Sequence, residues 1–224
     1  MPMILWLLAF ARVAVAGPLN ADLDGDGKAD NVVHQADGWY INATRLELES
    51  EHDMYVFEPL DIVAGDKVRE LSVCELGPRD DRMCRAYRWT GGKLIPIPVT
   101  DDRTFSSLQS TGNGIVLAKA YDRLGDRVHK LVFEGGSLRY IEQPFFYLGK
   151  ELHVEVSVPI VLAPADDAAV VANLKPDSSI VVLLAHPTLW NWYLVKTSTG
   201  LVGWIEANKL AEASEEARGA IWAG

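Results

Sequence analysis

The densest run of metal-type ligands in the chain is Asp22-Leu23-Asp24-Gly25-Asp26-Gly27-Lys28-Ala29-Asp30. Asp22, Asp24, Asp26 and Asp30 place carboxylates at positions 1, 3, 5 and 9 of a nine-residue loop. A hard cation such as Ca²⁺ takes about six to eight oxygen ligands, and a short loop supplies them only by coiling around the ion. The main-chain carbonyl of Lys28, at position 7, adds a neutral oxygen, and Gly27 at position 6 permits the sharp turn. Without a cation the four carboxylates repel one another, so the ion is expected to order the loop. The plainer alternative is an acidic, solvated turn. Protein oxygens saturate such an ion and leave no open position, so the expected role of Ca²⁺ is structural.

Position 12 of the loop is Val33, where an EF-hand requires a bidentate Glu. Asn31-Val32-Val33 begins a strand instead of a helix. A nine-residue Asp loop running into a strand resembles the FG-GAP/VCBS calcium loop of integrin-type β-propeller blades. The resemblance implies a metal site built from Asp22, Asp24, Asp26, Lys28 and Asp30 on an antiparallel β scaffold.

No catalytic constellation accompanies it. His34, His52, His129, His153 and His186 form no His-x-x-x-His or Cys–His pattern. His153 and Glu155 share one face of a strand, a spacing that suits an ordinary surface pair better than a ligand pair. There is no Gly-x-Ser-x-Gly elbow. Asp80-Asp81, Asp101-Asp102 and Asp166-Asp167 sit in turn-like contexts, where adjacent carboxylates solvate a loop more often than they divide acid and base roles. Glycosidase-type carboxylates distant in sequence stay open. Gly112 and Gly114 precede no helix and no Lys-Ser/Thr, so they read as a turn and not as a phosphate cradle. The expectation is a protein that is not an enzyme.

The elements that must position the loop read as β throughout. Asn31–Gln35, the turn Ala36-Asp37-Gly38 and Trp39–Ile41 give strand, turn, strand. Thr44–Glu49, Val56–Val63 and Val68–Glu75 read as further strands. Arg88-Trp89-Thr90-Gly91-Gly92-Lys93-Leu94 is echoed by Val132-Phe133-Glu134-Gly135-Gly136-Ser137-Leu138, each an aromatic-x-Gly-Gly-x-Leu hairpin. His34–Ile41 is a looser third copy. Repeated hairpins predict an antiparallel meander, sandwich-like or a partial propeller, over residues 17–150. Tyr121–Arg127 reads as a charged hairpin tip.

Near Gln143–Lys150 the composition shifts, and a second module is expected over residues 151–211. Leu174-Lys175-Pro176-Asp177-Ser178-Ser179-Ile180-Val181-Val182, Trp192-Tyr193-Leu194-Val195-Lys196 and Gly200-Leu201-Val202-Gly203-Trp204-Ile205 resemble the leucine–turn–strand, Trp-x-x-Val and closing Gly-x-x-Gly-Trp-Val segments of a bacterial SH3 (SH3b) domain. Asp177 stands where glycine is common. The first half departs from the family: Pro159–Ala165 replaces the usual Leu-Asn-Val-Arg-x-Gly-Pro. The resemblance implies a small SH3-like barrel with aromatic contacts to an extended ligand, and Trp190, Trp192, Tyr193 and Trp204 are the candidate binding residues. Residues 212–224 read as an Ala/Glu-rich tail, with a short helix over Glu212–Trp222 that Ile221 and Trp222 would dock onto a domain.

The 224 residues are 49% hydrophobic and 23% charged, with a net charge of -10. No basic patch exists to neutralise phosphates, which argues against nucleic acid. Residues 1–16 read as a secretory signal: an apolar run Ile4–Phe10 precedes Ala14-Val15-Ala16, a small-x-small cleavage site. No Lys or Arg precedes the run, a departure from the usual pattern. The run is too short to span a bilayer, so no transmembrane segment is expected in the mature chain. In an exported protein the only two cysteines, Cys74 and Cys84, are expected to form a disulfide across a hairpin. The expectation is therefore an all-β, exported, periplasmic or secreted, non-enzymatic binding protein. Its partner would be cell-wall peptidoglycan. The alternative is an envelope protein: a periplasmic inhibitor that binds a peptidoglycan hydrolase, with acidic loops at Asp80-Asp81 and Asp122 complementing a basic enzyme.

Overall fold

The computed structural model describes residues 19, 21–23, 26–48, 54–77, 82–90, 92–101, 103–189 and 191–222. The expected all-β class is observed, and every strand–strand ladder is antiparallel. The signal segment 1–16, Asp24, Asp80-Asp81, Asp102 and Trp190 lie outside the described residues.

Three sheets make up the first part of the chain. The first joins β1 (Val32–Gln35), β2 (Gly38–Ile41) and β3 (Thr44–Arg45). The second is a meander of β4 (Tyr55–Pro59), β5 (Arg69–Leu76), β6 (Arg82–Trp89) and β7 (Leu94–Pro96). The third is a meander of β8 (Ser107–Ser110), β9 (Ile115–Asp122), β10 (Gly125–Glu134) and β11 (Ser137–Ile141). The sequence echo has a structural meaning here. Its two closest copies are the β6–β7 and β10–β11 hairpins, each joining the third and fourth strands of a four-stranded meander. Gly135 and Gly136 turn the second copy with φ of +59° and +85°, values that cost glycine little and other residues more.

Strand β5 is buried on both faces because it sits between neighbouring sheets. Alternation sends Leu71 and Val73 to one side, into a core with Trp39, Ile41, Tyr87 and Trp89. Cys74 goes to the other side, into a core with Phe105, Leu108, Val116 and Leu131. The strand read from Val56 to Val63 is observed as Tyr55–Pro59, and one further bond, from the Leu60 N–H to the Glu70 carbonyl, follows it.

The last part of the chain forms one six-stranded sheet of order β12-β15-β16-β17-β13-β14. Its strands are β12 (Phe146–Val154), β13 (Val158–Val161), β14 (Val170–Leu174), β15 (Ser178–Ala185), β16 (Trp192–Thr197) and β17 (Val202–Glu206). The expected barrel does not close: β12 and β14 remain as edges. Helices α1 (Ala207–Ala213) and α2 (Glu215–Trp222) cover the inner face instead. Leu210, Ala211, Ala217 and Ile221 pack with Leu152, Ile180, Val182 and Val195. The tail expected from residue 212 is thus part of this core, and β12 runs without a break across the expected boundary at 150/151. Two features of the family-like segments gain a physical reason. Asp177 has φ of +65°, a turn conformation that glycine adopts most cheaply. Gly203 lies where a Cβ would sit 3.1 Å from Ile160, so β17 packs closely on β13.

Cys74 and Cys84 are directly opposed residues of β5 and β6 and are disulfide-bonded, both buried. The bridge ties β5 to β6 at the base of their hairpin, as expected. The double variant Cys74→Ala/Cys84→Ala should lose about 2–4 kcal/mol of unfolding free energy in urea denaturation. A loss below about 0.5 kcal/mol would show that the sheet core alone fixes the hairpin.

Candidate functional site

The acidic loop is folded onto the start of the first sheet. Asp22 Oδ2 accepts the Gly27 N–H at 2.9 Å, and Asp26 Oδ1 accepts the Lys28 N–H at 2.8 Å. Gly27 has φ of +83°, the left-handed turn expected at position 6. Asp30 behaves differently from Asp22 and Asp26. It is buried, and its carboxylate accepts hydrogen bonds from the Leu23 N–H and from Asn42 Nδ2. It ties the loop to the β2–β3 turn. Lys28 is exposed, with its ammonium 3.7 Å from Asp26. Among the described residues no three His, Cys, Asp or Glu side chains converge on one point.

The aromatic candidates separate by burial. Tyr193 is fully buried, and this corrects its expected role as a binding residue: alternation along β16 points it into the core with Val195. Trp192 is also buried, at 7% exposure. Trp204 is half-buried on the outer face of the sheet. There it meets two residues that the sequence reading did not single out for binding. The ring centroids of Phe145, His186 and Trp204 form a triangle with sides of 6.0, 6.1 and 5.9 Å, within the range for interacting rings. Phe145 is 40% exposed and Tyr147 is 71% exposed. A cross-strand row continues the surface: Tyr147 opposes Leu184, Leu184 opposes Leu194, and Leu194 opposes Trp204. The visible signal was the run Phe145-Phe146-Tyr147, whose alternation puts Phe146 in the core and its neighbours outside. In the sequence this run marks only the composition shift at which the second module is expected to begin.

His186 is held in place. Its Nδ1 accepts the Leu189 N–H at 3.0 Å and the Thr188 N–H at 3.3 Å. Those bonds assign the ring proton to Nε2. Its main-chain carbonyl accepts a 3.4 Å bond from Arg127 of β10. Arg127 belongs to a buried network between the third sheet and the C-terminal sheet. It forms an ion pair with Asp122, the two side chains being 3% and 5% exposed. Asp122 Oδ1 also accepts the Tyr193 hydroxyl at 3.0 Å and the Leu124 N–H at 3.2 Å. Burial first, then the Asp122 carboxylate, pushes the Tyr193 hydroxyl well above its ordinary pKa. The β9–β10 tip is charged and exposed at Arg123 and Asp126, but Leu124 enters the C-terminal core, and Asp122 is buried and unavailable to a basic partner.

No family model, curated protein or solved structure matches the chain.

Beside Arg127, His129 is buried among the rings of Phe105, Tyr140 and Phe146, at centroid distances of 5.9, 5.5 and 4.6 Å. Burial foremost, then Arg103 and Arg127, pushes its pKa from the ordinary 6.5 down to about 4, with Asp101 opposing. A lowered histidine pKa means that the unfolded chain binds the proton first. The stabilisation is complete above pH 6.5 and is lost as pH falls toward 4. Thermal melts at pH 7 and pH 4.5 should show a smaller drop in Tm for His129→Phe than for the wild type. An equal drop would remove His129 as an acid-sensitive contact.

Proposed function

We propose that this protein is an exported, non-enzymatic binding protein of the bacterial envelope that recognises cell-wall peptidoglycan through its C-terminal sheet. The observation that carries the proposal is the Phe145–His186–Trp204 cluster. Its rings sit on the outer face of the sheet, with Phe145 and Tyr147 exposed beside it. Exposed aromatic rings on a rigid β surface offer large apolar area at little entropic cost, which suits an extended ligand. The similarity of the closing segments to SH3b domains and the secretory-type N-terminus support the same compartment and ligand class.

In this reading the acidic loop is a structural Ca²⁺ site. The turn at Gly27, with the carboxylates of Asp22 and Asp26 folded back over the loop, fits a hard cation. The main-chain oxygen of Lys28 would complete that side. Asp30 fits as the loop's anchor, since its two oxygens already accept N–H groups. Bound Ca²⁺ would neutralise the loop's charge and would take no part in ligand chemistry.

Two outcomes follow. Calcium should raise the Tm of the wild type relative to chelator, by mass action on the folded state, and Asp26→Ala should lose that increment. An identical wild-type melt in calcium and in chelator would contradict the metal site. Purified sacculi should pellet the wild-type protein, and Trp204→Ala should weaken pelleting about tenfold or more, as loss of a central aromatic anchor does. Wild-type protein that stays in solution with sacculi would overturn the ligand assignment.

A further inference from the structure

The outer face of the C-terminal sheet offers a ligand flat rings and hydrogen-bond donors but few acceptors. The row Tyr147–Leu184–Leu194–Trp204 crosses four neighbouring strands. The Cα atoms of Tyr147 and Trp204 are three strand spacings apart, about 14 Å. That is the span of a short oligosaccharide. Tyr147 is laid down along the surface. The end of its ring lies over Gly149, where a Cβ would sit 2.6 Å from the Tyr147 hydroxyl oxygen and 2.8 Å from Cζ. Gly149 also has φ of +65°, so both the space and the backbone at this position favour glycine. With Tyr147 71% exposed, the other face of the ring is open.

Two N–H groups complete the patch. His186 Nδ1 accepts the Leu189 and Thr188 N–H groups, which leaves the ring proton on Nε2. Neither His186 Nε2 nor Trp204 Nε1 has a partner among the described residues. Neither belongs with the buried unpaired atoms, such as Trp39 Nε1 and His129 Nδ1, so both N–H groups reach solvent. The Tyr147 hydroxyl is the one side-chain acceptor of the row. The main chains of β15, β16 and β17 are engaged by strands on both sides. Charged side chains begin one row away, with Glu206 opposite Trp192 and with Glu151 and Lys196 on either side of Val181.

An extended peptide fits such a patch badly. Its main chain alternates N–H and C=O groups, and the N–H groups would lose water without finding acceptors. A pyranose ring fits it well. Its C–H face is apolar and can lie on a flat aromatic ring, while its hydroxyls project from the rim into water or toward the charged rows. The uncharged row also matches a neutral chain. We propose that this face takes the sugar chain of the wall polymer. N-acetylated pyranose rings lie on Trp204 and Tyr147, and an acetyl carbonyl accepts the His186 Nε2–H. This inference rests on the sacculus reading and names the part of the polymer that is bound.

The test is calorimetric titration of the full chain with three probes: a trimer of N-acetylglucosamine, the matching glucose trimer that lacks acetamido groups, and a wall stem peptide. The N-acetylated trimer should bind saturably, with Kd of about a millimolar. The glucose trimer should bind about fivefold more weakly, the equivalent of one neutral hydrogen bond. His186→Phe keeps a ring and removes the N–H, so it should bind the two trimers alike. Tyr147→Ala, at an exposed position, should weaken both trimers and leave their ratio unchanged. The stem peptide should not bind. No saturable binding of the N-acetylated trimer by the wild type would overturn the proposal, as would equal binding of the two trimers. Sacculi that pellet the protein, displaced by the stem peptide and not by the trimer, would overturn it and leave the sacculus reading standing. Trimer binding without pelleting by sacculi would overturn that reading and support the carbohydrate face.

Discussion

Asp122 and Arg127 face each other out of reach of water, and the relation between the third sheet and the C-terminal sheet depends on that pair. Both side chains are nearly fully buried. A charge in such a place is tolerated only when it is paired and hydrogen-bonded. Removing one partner typically costs about 3–5 kcal/mol, because the other is left buried and uncompensated. Local sequence supplies the pair: Asp122 ends β9 and Arg127 follows in β10. Distant sequence completes it, through the Tyr193 hydroxyl on β16 and the His186 carbonyl beyond β15. Leu124 drives the hairpin tip into the C-terminal core, and Arg127 lies 5.4 Å from the centre of the Phe146 ring. The two parts of the chain meet through apolar contact around a buried ion pair.

That centre also connects to the surface. Arg127 holds the backbone of His186 from inside, while the His186 ring meets Phe145 and Trp204 outside. On β12, Phe146 lies in the core beside Arg127 and His129, while Phe145 and Tyr147 stand outside. The aromatic face is thus mounted on the same residues that hold the two sheets together. Rigidity of this kind limits the ordering cost on binding an extended ligand.

Much of the architecture was legible in the sequence. The Gly-Gly echo located the β6–β7 and β10–β11 hairpins, because a tight antiparallel turn such as that at Gly135 and Gly136 requires positive φ and glycine supplies it. The cysteine spacing located a hairpin bridge. Asp177 and Gly203 stand where a left-handed turn and a close strand approach demand unusual residues. What the sequence could not show was burial that depends on a remote neighbour. Tyr121–Arg127 carries four charged residues and reads as a solvated tip, yet Tyr193, 71 residues away, accommodates Asp122 in the interior. Tyr193 was misjudged for the matching reason: its aromatic character suited a groove, and its strand parity put it in the core. Asp30 shows the same limit. Its spacing marks a ligand position, whereas Asn42 and the Leu23 amide make it an anchor.

The barrel expectation failed for a related reason. In the sequence the tail starts at residue 212, outside the barrel, but the alanines of residues 207–217 and Ile221 cover the sheet that an SH3-like barrel would close upon itself. Joining of the two parts into one cooperative unit by the Asp122–Arg127–Tyr193 centre is the central claim, and native-state hydrogen exchange tests it most directly. The account predicts that the amides of Leu131 in β10 and Val195 in β16 exchange with the same opening free energy in the wild type, and that Arg127→Met lowers both together. Exchange at Leu131 while Val195 stays protected, in either protein, would contradict it.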